Sequence, residues 1–362
     1  MRTIKKVLAA LAGLALIVAA LLWLFQKEAG TALLQRVAHA NVGRNIIPTL
    51  PDGLHVALCG TGSPFPDPTR AGPCTAVIAG DRLFVVDAGE GAARNMGYMG
   101  LPLGRMEAML LTHFHSDHID GLGPFMLQHW GLGTSTTPLP VYGPTGVDKV
   151  IDGFRSAYVL DYGYRVAHHT EQIMPSGGSG GKGVPFALPP VGKGDTVVVL
   201  EDKGLKITAF RVNHAPVEPA VGYRFDYQGR SVVISGDTTP TPSLVAAAQG
   251  ADLLIHEALQ PKLVKVLENE FDTKNMGNLA HVMRDILTYH TTPEQAATQA
   301  QEAKVKQLVF NHVVPPLPIR FAYPAFVGDA AKNFSGPITV GEDGMLFSLP
   351  AQSSAIEKKR LM

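Results

Sequence analysis

Short apolar runs bounded by glycine, proline and aspartate recur along the chain from about residue 54 onward. Runs of this length with such flanks are typical of buried β-strands. The first set lies at 55–58, 75–78, 83–86 and 108–111. A second set follows at 206–212, 222–225, 231–234, 253–256 and 307–310. The pattern therefore predicts two groups of strands separated by the middle of the chain.

Helical spacing of apolar residues replaces the strand pattern in four places, at 147–158, 244–249, 283–290 and 294–303. Strands and then helices, twice over, predict an α/β protein in which two sheets are sandwiched between helices. The stretch 175–183 contains Gly-Gly and Ser-Gly pairs, and it predicts an irregular surface loop.

The N-terminus carries an uninterrupted apolar run at 7–25, which follows Arg2, Lys5 and Lys6. That run has roughly the length needed to cross a bilayer. It predicts a signal anchor or signal peptide over 1–26, a linker over 27–50, a folded domain over 51–350 and a tail over 351–362. The basic start favours a membrane-anchored protein whose folded domain is exported to the periplasm or cell exterior. Secretion after signal cleavage is the alternative.

Charge and cysteine content narrow the expected chemistry. Lys plus Arg and Asp plus Glu number 31 each, so the chain has no broad positive field for a phosphate backbone. Nucleic acid is therefore not the expected partner. Two cysteines cannot supply a four-cysteine zinc site, whereas thirteen histidines make imidazole the expected metal ligand.

The segment 110–121 concentrates metal-binding side chains at the end of a predicted strand. His113 and His115 are two residues apart, so both imidazoles project to the same side. Asp117 and His118 follow at once on a predicted turn. Packing does not explain four such groups, because burying them without a metal would leave several polar atoms unpaired.

This segment resembles the histidine signature of the metallo-β-lactamase superfamily, and the resemblance extends over about 54–349. Further landmarks are an aspartate in 84–89 that supports the ligand loop in that family, a lone histidine, Ser-Gly-Asp-Thr at 235–238 and a last histidine after a strand. The resemblance implies an αββα sandwich with two metal ions, with zinc the first expectation and manganese or iron the alternatives. The implied ligands are His113, His115 and His214 for one ion, Asp117, His118 and His312 for the other, and Asp237 as the bridge.

Two further segments, 254–258 and 289–297, resemble auxiliary motifs of the ribonuclease Z and arylsulfatase-like branch. The resemblance implies that His290 is a general acid and that Glu257 orients it. Two metal ions lower the pKa of a shared water, so that hydroxide rather than a side chain is the nucleophile. The expected catalytic residues are His290, Glu257 and Asp117.

The segment 58–74 resembles the start of the exported arylsulfatase-like members. Arg70 could either bind an anionic substrate oxygen or pin the loop. Cys59 and Cys74 flank the same loop, and an exported protein could bridge them, but the sequence leaves their separation in space open.

The expected function is hydrolysis of a small anionic ester, an aryl sulfate or a phosphodiester, by a protein that could be a homodimer. A ribonuclease Z acting on transfer RNA is the first alternative. That family's RNA-binding arm lies between the third ligand histidine and the bridging aspartate, where this chain has only 215–236. A lactonase or β-lactamase is the second alternative. An inactive membrane-anchored metal-binding protein is the third, although every expected ligand is present.

Overall fold

The computed structural model describes residues 2–362, and the chain divides into two units, one up to Asn45 and one from Ile46 to Met362. The first unit consists of helix α1 (Arg2–Leu24) and helix α2 (Gln26–Asn41), and no residue of either helix is buried. By length and composition α1 could cross a membrane, and N-terminal signal sequences share both properties. The expected linker 27–50 thus holds most of α2.

The second unit is built on two β-sheets. Its strands are β1 (Gly53–Gly60), β2 (Cys74–Ala79), β3 (Arg82–Val86), β4 (Met106–Leu110), β5 (Leu139–Pro144), β6 (Gly181–Phe186), β7 (Thr196–Asp202), β8 (Leu205–Arg211), β9 (Val221–Tyr227), β10 (Arg230–Ile234), β11 (Leu253–Leu259), β12 (Gln307–Val314), β13 (Ile338–Val340), β14 (Met345–Pro350) and β15 (Glu357–Arg360). One sheet has the order β15-β14-β1-β2-β3-β4-β5-β6, and the other has the order β13-β12-β11-β10-β9-β8-β7.

Ten α-helices accompany these strands. They are α3 (Ala92–Met99), α4 (Ser116–Ile119), α5 (Leu122–Gly133), α6 (Val147–Ile173), α7 (Pro242–Ala247), α8 (Pro261–Thr273), α9 (Gly277–Asp285), α10 (Pro293–Glu302), α11 (Tyr323–Val327) and α12 (Ala330–Asn333).

Three hydrophobic layers hold the sheets and helices together. The two sheets face each other across a core that includes Phe84 from β3 and Phe225 from β9. Phe125 of α5 packs on the outer face of the first sheet, and Leu244 of α7 packs on the outer face of the second. This αββα arrangement confirms the predicted α/β fold with two sheets.

Strand β1 shows why its sequence reads as a continuous apolar run. Leu54, Val56 and Leu58 contact the core between the sheets, whereas Ala57 and Cys59 contact the helical layer on the other face. Successive side chains of a strand point to opposite faces, so a strand covered on both sides must be apolar throughout.

The expectation of an irregular loop at 175–183 was wrong for its last residues, because β6 begins at Gly181 and pairs in parallel with β5. A Cβ atom on Gly181 would lie 2.7 Å from the sulfur of Met126, and one on Gly183 would lie 2.6 Å from the Cα atom of Asp148. These glycines therefore allow helices α5 and α6 to approach the strand closely, and they do not mark an irregular segment.

Parallel strand ends define one edge of the sandwich. In the first sheet β3 and β4 run parallel, and in the second sheet β10, β11 and β12 run parallel. Loops that leave the carboxyl ends of parallel strands meet at the same edge, where ligands usually bind in α/β folds.

The residues after 350, expected to form a tail, include an edge strand. Strand β15 pairs antiparallel with β14, and Arg360 at its end donates to the carboxylate of Glu342. The Nε atom of Arg320 lies 2.7 Å from the same carboxylate, and the hydroxyl of Tyr323 donates to it over 3.0 Å. Burial raises the pKa of Glu342, but these donors outweigh burial and lower it from 4.5 to about 2.

A carboxyl group whose pKa is lower in the folded state stabilises the protein above its unfolded pKa and loses that contribution as pH falls. We expect Glu342→Gln to reduce the free energy of unfolding at pH 7 by about 1 kcal/mol, because its partners are partly solvent-screened. The deficit should shrink between about pH 4.5 and pH 2. Urea unfolding in the presence of chelator, at pH 7 and at the acidic end of this range, measures the difference in free energy between the variant and the wild type. Glu270→Gln on the exposed face of α8 is the control. A deficit that did not change with pH would contradict this account.

Candidate active site

Three imidazoles converge at the edge where β4 and β8 end. The loop after β4 carries His113 and His115, and His214 lies three residues beyond β8. The Nδ1 atom of His115 lies 3.1 Å from Nε2 of His113 and 3.2 Å from Nε2 of His214. Such spacings suit nitrogen ligands that each lie about 2.0–2.1 Å from one zinc-sized ion.

A second group of three side chains lies beside the first. The Oδ2 atom of Asp117 is 3.2 Å from Nε2 of His312 and 3.6 Å from Nε2 of His118. Asp117 and His118 lie in α4, directly after the loop of the first group, and His312 lies in β12. All three residues are buried.

The carboxylate of Asp237 lies between the two groups. Its Oδ2 atom is 4.0 Å from Nε2 of His113 and 3.9 Å from Nε2 of His214 in the first group. The same oxygen is 3.4 Å from Nε2 of both His118 and His312 in the second group. Asp237 thus occupies the position that a bridging ligand requires.

Asp87 fixes the orientation of the segment 112–118, which we call the ligand loop. It follows β3 with a φ of 63°, and its carboxylate accepts the Thr112 backbone N–H over 2.8 Å. Its Oδ2 atom lies 2.8 Å from Nδ1 of His118, so that Nε2 of this ring faces the site. Partners of this kind hold a metal-ligating imidazole in one orientation and one tautomer.

Two residues that were not predicted as site residues also orient imidazoles of the site. The hydroxyl of Thr112 lies 3.0 Å from Nδ1 of His113, and the backbone oxygen of Tyr289 lies 3.0 Å from Nδ1 of His214. Neither Thr112 nor Tyr289 was among the predicted site residues. No local signal could have identified Tyr289, because it acts through its backbone.

The electrostatics of the site fit a divalent cation. Among residues 2–362, Nε2 of His118 and Oδ1 of Asp237 are buried without a hydrogen-bond partner. Burial lowers the pKa of His118, but the surrounding carboxylates, Asp237 first, raise it well above its ordinary value. Burial, and then the neighbouring His118, lower the pKa of His113 well below its usual range. A divalent cation would take the place of the proton on His118 and leave neutral imidazoles beside buried carboxylates, which is the donor set of a zinc-type ion.

His290 and Glu257 form a pair at the rim of this site. The Nδ1 atom of His290 lies 3.1 Å from Oε1 of Glu257, and the same oxygen accepts the backbone N–H groups of Thr238 and Thr291 over 3.1 Å each. Burial lowers the pKa of His290, but the Glu257 carboxylate outweighs burial, and the pKa rises to about 9. His290 is therefore protonated near neutral pH. One of its nitrogens also lies within 4.8 Å of ligand atoms of Asp237 and His312.

The loop over 58–74 is held in place by hydrogen bonds of the Arg70 side chain. One guanidinium nitrogen of Arg70 donates to the Thr61 hydroxyl and to the Gly341 carbonyl over 2.6 Å each, and the other donates to the Tyr323 hydroxyl over 3.0 Å. Arg70 is buried, so of the two roles left open the structure shows the pinning one. A disulfide joins Cys59 and Cys74, whose Cα atoms are 5.1 Å apart.

The structure brings all the predicted site residues to one edge. A family model described as "Beta-lactamase superfamily domain" matches residues 82–313, which span the ligand loop, Asp237 and His312. The chain belongs to the metallo-β-lactamase superfamily. Its relatives place it near the ribonuclease Z branch.

The chain is 35% identical over 293 residues to a protein named ribonuclease Z from Mycobacterium avium, covering 80% of this chain and 96% of the relative. A ribonuclease Z from Mycolicibacterium gilvum is 36% identical, with 80% and 94% covered. Among solved structures, the short form of human tRNase Z has a TM-score of 0.58 at 24% identity, with 82% and 99% covered. The metallo-β-lactamase fold protein YhfI from Bacillus subtilis has a TM-score of 0.55 at 20% identity, with 81% and 98% covered. The two solved structures support the fold alone.

These relatives overturn two predictions. The expected substrate, a small aryl sulfate or phosphodiester, was wrong, and so was the exclusion of nucleic acid as a partner, because the similar proteins are named ribonuclease Z. The arylsulfatase-like assignment is not supported either. Net charge does not predict the partner here because it averages over the whole surface, whereas a metal centre can offset phosphate charge at one point.

Asp87→Asn tests the support of the ligand loop. Asparagine tolerates a positive φ, so the turn should persist while the acceptor for His118 is weakened. We expect zinc affinity to fall by about 10–100-fold, measured by competition with a chromogenic chelator. Thermal unfolding of the metal-free protein should change little by comparison. Unaltered zinc affinity in a folded variant would show that Asp87 does not support the ligands.

Proposed function

We propose that this protein is a ribonuclease Z-type endonuclease that hydrolyses a phosphodiester bond in RNA, with the 3′ region of precursor transfer RNA as the first substrate to test. The observation that carries the proposal is similarity to proteins named ribonuclease Z over 94–96% of their length. The site supports it, since its clustered imidazoles and carboxylates are the donor set of metal-dependent hydrolases.

We propose further that the site binds two metal ions, zinc in the first place, with manganese or iron as alternatives. His113, His115 and His214 would hold one ion, and Asp117, His118 and His312 the other. The position of Asp237 Oδ2 between the two groups supports a bridging role. A bound pair of this kind supplies an activated water and neutralises charge on a phosphoryl group.

His290 would donate the proton that the leaving ribose oxygen needs. Glu257 holds the ring through Nδ1, and its carboxylate raises the pKa of His290, which favours the protonated ring. Glu257 in turn accepts hydrogen bonds from the backbone N–H groups of Thr238 and Thr291, and these bonds keep it in position to orient His290. Asp117 would act as a metal ligand beside the reacting phosphate.

The decisive experiment incubates the full-length, zinc-loaded protein with a precursor transfer RNA that carries a 3′ trailer. We expect cleavage near the junction with the trailer, and chelator should abolish it. Asp237→Asn should lower turnover by at least about a thousandfold, since the central carboxylate is lost. A metal-loaded protein that leaves the RNA intact would refute the proposal. Wild-type activity in the variant would identify a contaminating nuclease.

The role of His290 is tested by His290→Asn, with the exposed His281 of α9 as the matched control. We expect His290→Asn to keep its metals and to lose about two to four orders of magnitude in turnover on RNA. Nitrophenyl phosphodiesters should suffer much less, because their leaving groups depart without a proton. His281→Asn should change neither rate. Equal losses on both substrates, or loss of metal, would show instead that His290 is a ligand.

Precursor transfer RNA is a test substrate here, and the RNA cleaved in nature need not be cytoplasmic, because we also propose that the folded unit lies outside the cytoplasm. Helix α1 supports this, as does the disulfide between Cys59 and Cys74, since disulfides persist mainly in oxidising compartments. A reporter that is active only after export, fused after Gly30, should be active. An inactive reporter with a soluble full-length chain would contradict the proposal.

A further inference from the structure

We propose that the cavity at the metal ligands contains a nucleobase subsite, in which Phe65 and Tyr289 stack on the base of a nucleotide next to the scissile phosphate. The inference rests on the proposed function, because it assumes that the substrate is RNA.

The cavity has two chemically different walls. Its volume is about 220 Å³. The polar wall consists of residues of the candidate active site, namely His115, Ser116, Asp117, Asp237, His290 and His312. The remaining lining residues, which form the apolar wall, are Pro64, Phe65, Ile286, Tyr289 and Val314. A charged phosphodiester fits the first wall but leaves the second without a matching group.

The two aromatic side chains share one hydrophobic support. Phe65 and Tyr289 are half-buried and pack against a cluster that includes Val264 of α8, Met283 of α9 and Val314 of β12. Each ring thus has one side on the protein core while part of it remains open to the cavity. Half-buried rings of this kind bury further apolar area when a flat ligand covers them.

Tyr289 is fixed relative to the metal ligands. Its backbone oxygen lies 3.0 Å from Nδ1 of His214, and its ring centroid lies 5.3 Å from that of His214. The neighbouring residue, His290, is held by Glu257. A base stacked on Tyr289 would therefore lie within one nucleotide of the reacting phosphate.

Phe65 lies in the loop over 58–74, which hydrogen bonds hold in place. The carboxylate of Asp343 accepts the backbone N–H groups of Thr61 over 2.9 Å and of Ala71 over 2.6 Å, at the two ends of that loop. Arg70 binds Thr61 and Gly341 in the same region. Because the loop is ordered before substrate binds, little entropy is lost when a base contacts Phe65.

The occupant follows from the chemistry of RNA. Sugars and phosphates are polar, and the bases are its flat groups with a π-face. Apart from the Tyr289 hydroxyl, the apolar wall offers no side-chain hydrogen-bond donor or acceptor. The subsite should therefore tolerate different bases, because stacking does not read their edges.

The first test compares binding of adenosine 5′-monophosphate and ribose 5-phosphate to the full-length, zinc-loaded protein by calorimetry. These probes share the phosphate and ribose and differ in the base. We expect the nucleotide to bind about 10-fold more tightly or better. Phe65→Leu and Tyr289→Leu should reduce this ratio by about fivefold or more, and Phe65→Trp should keep it. Phe321→Leu is the control, because Phe321 is an exposed aromatic outside the cavity.

Equal binding of the two probes to the wild type would overturn the inference, and so would a ratio that survives both leucine variants. This result does not depend on RNA cleavage, so it is separate from failure of the proposed function. Where RNA is cleaved, an abasic site at the stacked nucleotide should slow the wild type and remove the difference between the wild type and Phe65→Leu. A difference that persists at every abasic position next to the cut would contradict the stacking role.

Discussion

The site depends on the buried carboxylate of Asp237. Burial alone would raise its pKa, but His312, His118 and His113 lower it well below its usual range. A buried anion is costly unless positive charge surrounds it, and four imidazole nitrogens lie within 4.0 Å of one of its oxygens. Protonated imidazoles repel one another at these distances. Divalent cations bound to neutral imidazoles would satisfy the carboxylate without that repulsion.

The fold supplies this arrangement through strand ends. Asp87 follows β3 and Thr112 follows the neighbouring parallel strand β4, so that one carboxylate can hold the loop of histidines. The parallel strands β10, β11 and β12 deliver Asp237, Glu257 and His312 to the same edge. The proposed base subsite lies next to these residues in the chain. Tyr289, which precedes His290, contacts Nδ1 of His214 through its backbone oxygen and also lines the cavity.

Much of the fold and of the candidate site was predictable because the sequence patterns that indicate them are local. The four candidate ligands at 113–118 lie within six residues, and continuous apolar runs identified nine of the fifteen strands, β1–β4 in the first sheet and β8–β12 in the second. The later ligands came from resemblance, since a lone histidine such as His214 carries no signal by itself. The role of Arg70 was undecided because its acceptor Gly341 is 271 residues away in the chain. The glycines near 181 suggested irregular structure, but they are needed because helices pack closely against this strand. Net charge gave the wrong partner because it says nothing about where charge lies.

The most direct test of the central claim is a crystal structure of the zinc-loaded protein with anomalous diffraction measured at the zinc edge. The account predicts two anomalous peaks, one among His113, His115 and His214 and one among Asp117, His118 and His312, with the Asp237 carboxylate between them. A single peak with Asp237 unbound, or no peak at these residues in protein that cleaves RNA, would contradict it.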